Sequence, residues 1–354
     1  MRRYNLFFLT ILVLSISTGC AERKNILDGG NEDNTSYTLV GQVQTPGFGQ
    51  DLAITDTLIV VADDETGLTV ISVKDKSAPF IVSSHRTTLF PFGVDLIPSE
   101  RIILTAEGSG DVGVYSYQNP DTLSDISTIY AQSAQDVIFA RQFVPAYNDT
   151  AESMFLFVAD SRRDFLGYEL LSGVDSEGNP RLNGIEIKEI HSAGTGQGID
   201  FVDGYIYLAS GDWGLHILDA RDLTDITAIG GEFGGIDTNG YSYSVKVHDN
   251  IAYLANGQKG LQVIDVSDKN NPILLASVDT RSAMVDLAVS DDGNLVFAAI
   301  TVDGLYIFDV SNPADPKIIQ RYNTPNARAV DTDGDYVYVI DRYDGLIILQ
   351  KELR

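Results

Sequence analysis

The sequence is poor in the residues that most chemistry and most cross-linking need. One cysteine, Cys20, stands among 354 residues, so no internal disulfide can form. The four histidines, His85, His191, His216 and His248, are far apart and lack the spacing of metal ligands. No Gly-x-Ser-x-Gly, His-Glu-x-x-His or Walker pattern occurs. Basic residues are scarce, 24 against 50 acids, for a formal charge of −26. Such a surface repels nucleic acid and anionic membranes and attracts cations or basic partners. Beyond the N-terminus no apolar run approaches the length that spans a bilayer. Extended helical periodicity is scarce too, whereas 32 glycines and 17 tyrosines favour short strands and tight turns.

The N-terminus reads as an address. Arg2 and Arg3 precede a nearly unbroken apolar stretch, Leu6 to Ile16, which suits a secretory signal better than a membrane span. It ends in Ser17-Thr18-Gly19-Cys20, which resembles a bacterial lipobox, and Cys20 is the expected site of lipidation. Residues 1–19 are then the signal peptide, and the mature chain keeps 22 bases against 50 acids. Residues 20–36 are mostly polar, a tether with a typical reach of about 20–24 Å. More than one acyl chain on Cys20 would anchor it stably, each methylene contributing roughly 0.8 kcal/mol. Ala21 carries no acidic inner-membrane retention signal, so the expected address is the outer membrane of the cell envelope.

The remainder, 37–354, repeats. A glycine followed by alternating apolar residues recurs at Gly67, Gly113, Gly167, Gly214, Gly260, Gly304 and Gly345, spaced 46, 54, 47, 46, 44 and 41 residues apart. A period near 45 in an all-β chain predicts a seven-bladed β-propeller with four-stranded blades. The last repeat lacks a fourth strand, and Tyr37–Pro46 precedes the first repeat without partners. That N-terminal strand is therefore expected to complete the C-terminal blade and close the ring. The third repeat carries extra residues at Val144–Thr150 and Asp175–Pro180, read as loop insertions.

The units Gly260-Leu261-Gln262-Val263-Ile264-Asp265-Val266-Ser267-Asp268 and Gly304-Leu305-Tyr306-Ile307-Phe308-Asp309-Val310-Ser311-Asn312-Pro313 resemble the LVIVP-repeat family of extracytoplasmic bacterial propellers. Gly67–Pro79 and Gly214–Ile226 are weaker copies. The resemblance implies a propeller on a lipoprotein or cell-surface protein and no defined activity, because the shared motif is structural.

Function must then lie where the copies differ. Asp51, Asp95, Asp136, Asp200 and Asp286 recur at the start of the innermost strands, where they would ring the central channel. Either they attract a basic group or a hydrated cation, or each bonds backbone amides of the neighbouring blade; the repetition favours the second reading. No cofactor is implied, and a divalent cation in the channel has no further support. Lys246 and Arg328 interrupt the acidic series, and with Trp213, Arg162, Arg163 and Tyr343 they form a candidate binding rim. Asp331 to Asp335 reads as a hairpin turn. The leading reading is a membrane-tethered, non-enzymatic binding or scaffold module for protein, peptide or glycan. A hydrolase or lyase using channel carboxylates is a second, and a structural surface platform a third. The oligomeric state is open.

Overall fold

A computed structural model of the chain describes residues 36–146, 149–191, 194–223, 225–231 and 234–352, with side chains described outside 142–152. The signal segment, Cys20 and the tether up to residue 35 lie outside the described residues.

Seven four-stranded antiparallel sheets are arranged as blades 1 to 7, strands a to d running from the channel outward. The a strands are Asp51–Ile54, Gly93–Ile97, Ala134–Ala146, Gly198–Val202, Ser244–His248, Met284–Val289 and Ala327–Thr332. The b strands are almost wholly buried, as in Leu58–Ala62 and Ile251–Ala255. Both faces of a blade lie against neighbours, so these strands read as continuous apolar runs without alternation. The core lies between the blades: Ile59, Val61 and Ile71 of blade 1 meet Ile340, Leu346 and Ile348 of blade 7. Each such side chain contributes roughly 1.5–3 kcal/mol when buried.

Ring closure follows the expectation. Strand Ser36–Val43 pairs antiparallel with Gly345–Glu352 and becomes strand d of blade 7. Gln320 of blade 6 clasps it, its Oε1 accepting the Tyr37 amide at 2.9 Å and its Nε2 donating to the Tyr37 carbonyl at 2.7 Å. The Tyr37 ring stands edge-on to Phe297, centroids 5.2 Å apart. Ser36 pairs with Glu352 and Val43 with Leu346, so the strand enters from the face opposite the b–c corners.

The seven repeat glycines do not all hold the same structural position. Glycine with positive φ turns the b–c corner in five blades, at Gly67, Gly214, Gly260, Gly304 and Gly345. Gly113 and Gly167 are inside c strands instead, and Asp111 and Asp164 hold the corner positions of blades 2 and 3. Asp164 takes the left-handed conformation, φ 67°, that glycine adopts elsewhere, which aspartate tolerates better than most residues. One of the two expected loop insertions of blade 3 is strand instead: Val144–Ala146 and Asp149–Thr150 extend strands a and b, whereas Asp175–Asn179 is the c–d turn, as expected. The strands of this blade run 13, 12, 11 and 11 residues, Ala134–Ala146, Asp149–Asp160, Asp164–Val174 and Pro180–Ile190. At about 3.3 Å per residue the blade projects roughly 20 Å below its neighbours, on the face where Ser36 enters.

Candidate functional site: the central channel

Pairing register places the channel residues in layers. The alanines Ala62, Ala106, Ala159, Ala209, Ala255 and Ala299, with Ile340, end the b strands at one level beneath the corners. Their a-strand partners are Asp51, Gly93, Asp136, Gly198, Ser244, Asp286 and Ala329. Two residues further down, about 6–7 Å, the series is Ala53, Asp95, Ile138, Asp200, Lys246, Ala288 and Asp331. The charged residues thus form two staggered tiers. Asp51, Asp136 and Asp286 make the upper one; Asp95, Asp200, Asp331 and Lys246 make the lower. Asp331 was expected in a hairpin turn and is instead a sixth channel carboxylate.

Five of the seven seams are stitched the same way by an aspartate. Asp51 accepts the Leu52 amide on Oδ1 and the Val94 amide of blade 2 on Oδ2, both at 2.8 Å. Asp95 reaches Phe139 at 2.6 Å, Asp136 reaches Ile199 at 3.0 Å, Asp200 reaches Val247 at 2.7 Å and Asp286 reaches Val330 at 2.9 Å. In each case the donor lies on the next blade, one position below the acceptor. Lys246 has no acceptor to offer blade 6. There a backbone bridge substitutes, with Gly257 and Met284 exchanging amide hydrogen bonds of 3.1 and 2.9 Å. Between blades 7 and 1, Arg328 donates to Gln50 Oε1 at 3.0 and 3.2 Å.

Packing so many carboxylates in one channel perturbs them. Burial pushes Asp136 up to about 7 and Asp95 and Asp331 to about 6, the backbone amides only partly offsetting it. Asp51, Asp200 and Asp286 are raised for the same reason. Burial opposes the Lys246 ammonium as well, but Asp200, Asp136, Asp331 and Asp286 outweigh it and hold the lysine protonated. Lys246 is surrounded by protein yet still faces the channel space, and it makes no direct hydrogen bond or ion pair among the described residues.

Above the upper tier each blade contributes one residue to a mouth: Gln50, Phe92, Gln135, Gln197, Tyr243, Val285 and Arg328. Gln135, Val285 and Arg328 are bulge residues, inserted just above the upper tier in blades 3, 6 and 7. A bulge re-aims a side chain without breaking the sheet. The mouth and upper tier enclose a cavity of 670 Å³. A smaller one of 420 Å³, lined by Asp200, His248 and Asp291, opens at the other end. Lys246 and Asp331 line both and form the waist. Among the described residues no three His, Cys, Asp or Glu side chains are grouped to hold a metal ion.

Of the expected rim, the structure brings only Lys246 and Arg328 to the channel, and Lys246 lies deep inside it rather than at the rim. Trp213, Arg162, Arg163 and Tyr343 occupy b–c corners on the mouth face and do not line the cavity. Arg163 pairs with Glu189 at 2.7 Å and lies over the Tyr130 ring at 5.6 Å. Tyr343 is edge-on to Phe48, 6.0 Å between centroids. Corner acids on this face are structural: Asp63 accepts the Gly47 amide, Glu107 that of Leu89, Asp160 those of Gln132 and Ser133, and Asp341 that of Asn326. Much of the acidity therefore holds the fold together. Sequence reasoning missed Gln50, Gln135 and Gln197 as mouth residues; their one signal is that each immediately precedes an inner strand or an aspartate.

Fold and channel define a seven-bladed, four-stranded β-propeller. Solved propellers share this architecture at low identity. A computationally designed protein, Ika8, covers 89% of this chain and 100% of its own at 11% identity, TM-score 0.57. The WD40 propeller domain of Doa1 covers 89% and 97% at 10% identity, TM-score 0.64. No curated protein matches significantly. The family described as the LVIVD repeat matches residues 46–87, 239–280, 283–324 and 326–349, so the propeller carries LVIVD repeats in four of its seven blades. Those matches cover blades 1, 5, 6 and 7, while the divergent blades 2 to 4 lie between them.

Proposed function

We propose that the protein is a lipid-anchored, extracytoplasmic binding propeller that holds a ligand in the channel mouth and does no chemistry on it. The observation that carries this reading is the mouth itself, seven side chains of five kinds, three of them glutamine, above a cavity of 670 Å³. That volume lies within the ~300–1,000 Å³ of small-ligand sites. Five of the six channel carboxylates each accept a backbone amide of the next blade, which suits a fixed scaffold. Anchoring rests on Ser17 to Cys20. Because Ser36 enters from the opposite face, a tether there turns the mouth away from the membrane. The test is a comparison of the full chain with Cys20→Ser in cell fractions, followed by ligand screening. Release of Cys20→Ser from the membrane with retained ligand binding supports the reading; equal membrane retention of both forms, or catalytic turnover, removes it.

One observation favours a second reading. Asp136, Asp95 and Asp331, pushed up to about 7, 6 and 6, titrate where general acids and bases work. A hydrolase or lyase of this kind would turn over members of a lactone and oligosaccharide panel and lose activity in Asp136→Asn.

A further inference from the structure

The charges along the channel alternate in a way that selects among ligands. Arg328 stands at the mouth, the carboxylates of Asp51, Asp136 and Asp286 below it, and Lys246 at the waist. A cationic ligand must pass the guanidinium and come to rest above an ammonium. An anionic ligand must enter a ring of carboxylates. An uncharged ligand bearing hydroxyls meets neither obstacle, since each hydroxyl both donates and accepts.

The hydrogen-bonding capacity left over fits that description. A carboxylate offers about four lone-pair sites, and the Asp51 and Asp136 oxygens each use one on a backbone amide. Lys246 keeps its three protons without a direct partner, and Arg328 bonds only the neutral amide of Gln50 among the described residues. The upper tier also has room, because it faces the cavity of 670 Å³. Across the mouth, Phe92 and Tyr243 of blades 2 and 5 are 45% and 36% exposed. Both line the cavity and are aromatic surface on which the apolar side of a pyranose can pack.

We infer that the channel mouth binds the end of an uncharged oligosaccharide, with sugar hydroxyls donating to the upper carboxylates and accepting from Lys246 and Arg328. This inference rests on the mouth being a ligand site at all, and the test separates the two. The full chain in detergent is titrated calorimetrically with maltotriose, mannotriose, galactotriose and chitotriose, and with trigalacturonate and trilysine. At least one neutral trisaccharide binds saturably. Phe92→Ala and Tyr243→Ala each weaken it about tenfold or more, Lys246→Met weakens it as well, and Phe80→Ser on the outer strand of blade 1 does not. Melting temperatures of the four variants serve as the folding control, and the two aromatic positions are exposed enough to tolerate truncation. If trilysine or trigalacturonate binds instead, and Phe92→Ala weakens it, the mouth remains a ligand site and the carbohydrate inference fails. If no probe binds, or every probe binds Phe92→Ala and Tyr243→Ala as tightly as the parent, both fail.

Discussion

Asp136 Oδ2 accepts the amide of Ile199 at 3.0 Å, 63 residues away, while its Oδ1 accepts that of Val137 at 2.8 Å. One side chain therefore joins blades 3 and 4 beneath the mouth. Asp136→Ala removes the acceptor of two amides, and stranded donors cost about 1–3 kcal/mol, less where channel water reaches them. Asp136→Asn keeps one acceptor oxygen and places no charge in the channel. Urea unfolding at pH 8 should rank the parent and Asp136→Asn above Asp136→Ala. Equal midpoints for Asp136→Ala and the parent would show that the seam does not depend on this carboxylate.

The raised carboxyls set the sign of the pH dependence. A group that holds its proton to higher pH when folded than when unfolded binds more protons in the native state over that interval. Stability then falls as pH rises from the unfolded value, 3.8 for aspartate, through the folded one, about 7 for Asp136 and about 6 for Asp95 and Asp331. The channel contribution should make the protein more stable at pH 5 than at pH 8. Replacing Asp95, Asp136 and Asp331 together by asparagine should flatten that difference, read as the shift in urea midpoint between the two pH values. A parent whose midpoint rises from pH 5 to pH 8, with the triple variant unchanged, would contradict it.

The architecture was legible because each blade repeats the same demands. Glycine at corners such as Gly260 and Gly304, apolar b strands and an unpartnered Tyr37–Pro46 together specify seven blades and their closure. The channel was only half legible. Asp51 and Asp136 announce themselves by recurrence, but the division into tiers is set by each strand's pairing register, which no local propensity marks. Asp331 was hidden by the turn-like Asp331-Thr332-Asp333-Gly334-Asp335 around it. Trp213 and Tyr343 drew attention by residue type, whereas distance from the channel axis, a property of the corner they occupy, decides whether they meet it.

Lys246 is the one lysine of the lower tier, and its charge lowers the proton affinity of Asp136, Asp200, Asp286 and Asp331. Lys246→Met keeps the length of the chain and removes the charge. The four carboxyls should then hold protons to still higher pH, so the variant loses more stability at pH 8 than at pH 5. The readout is the difference between parent and variant urea midpoints at the two pH values. A loss equal at both would assign Lys246 a packing role alone.

Closure of the ring is concentrated on Gln320, 2% exposed, whose amide meets both backbone groups of Tyr37. Gln320→Ala strands a buried amide and a buried carbonyl on the N-terminal strand, at a cost of about 1–3 kcal/mol. The ladder to Gly345–Glu352 remains, so the effect should be local opening before global unfolding. Hydrogen exchange of the amides in Ser36–Val43 should speed up about tenfold or more, while those of the blade 4 strand Tyr205–Ala209, across the ring, keep their rates. Uniform acceleration across all blades would mean that the clasp stabilises the ring as one cooperative unit, and unchanged exchange in the N-terminal strand would show that its pairing with blade 7 suffices to close it.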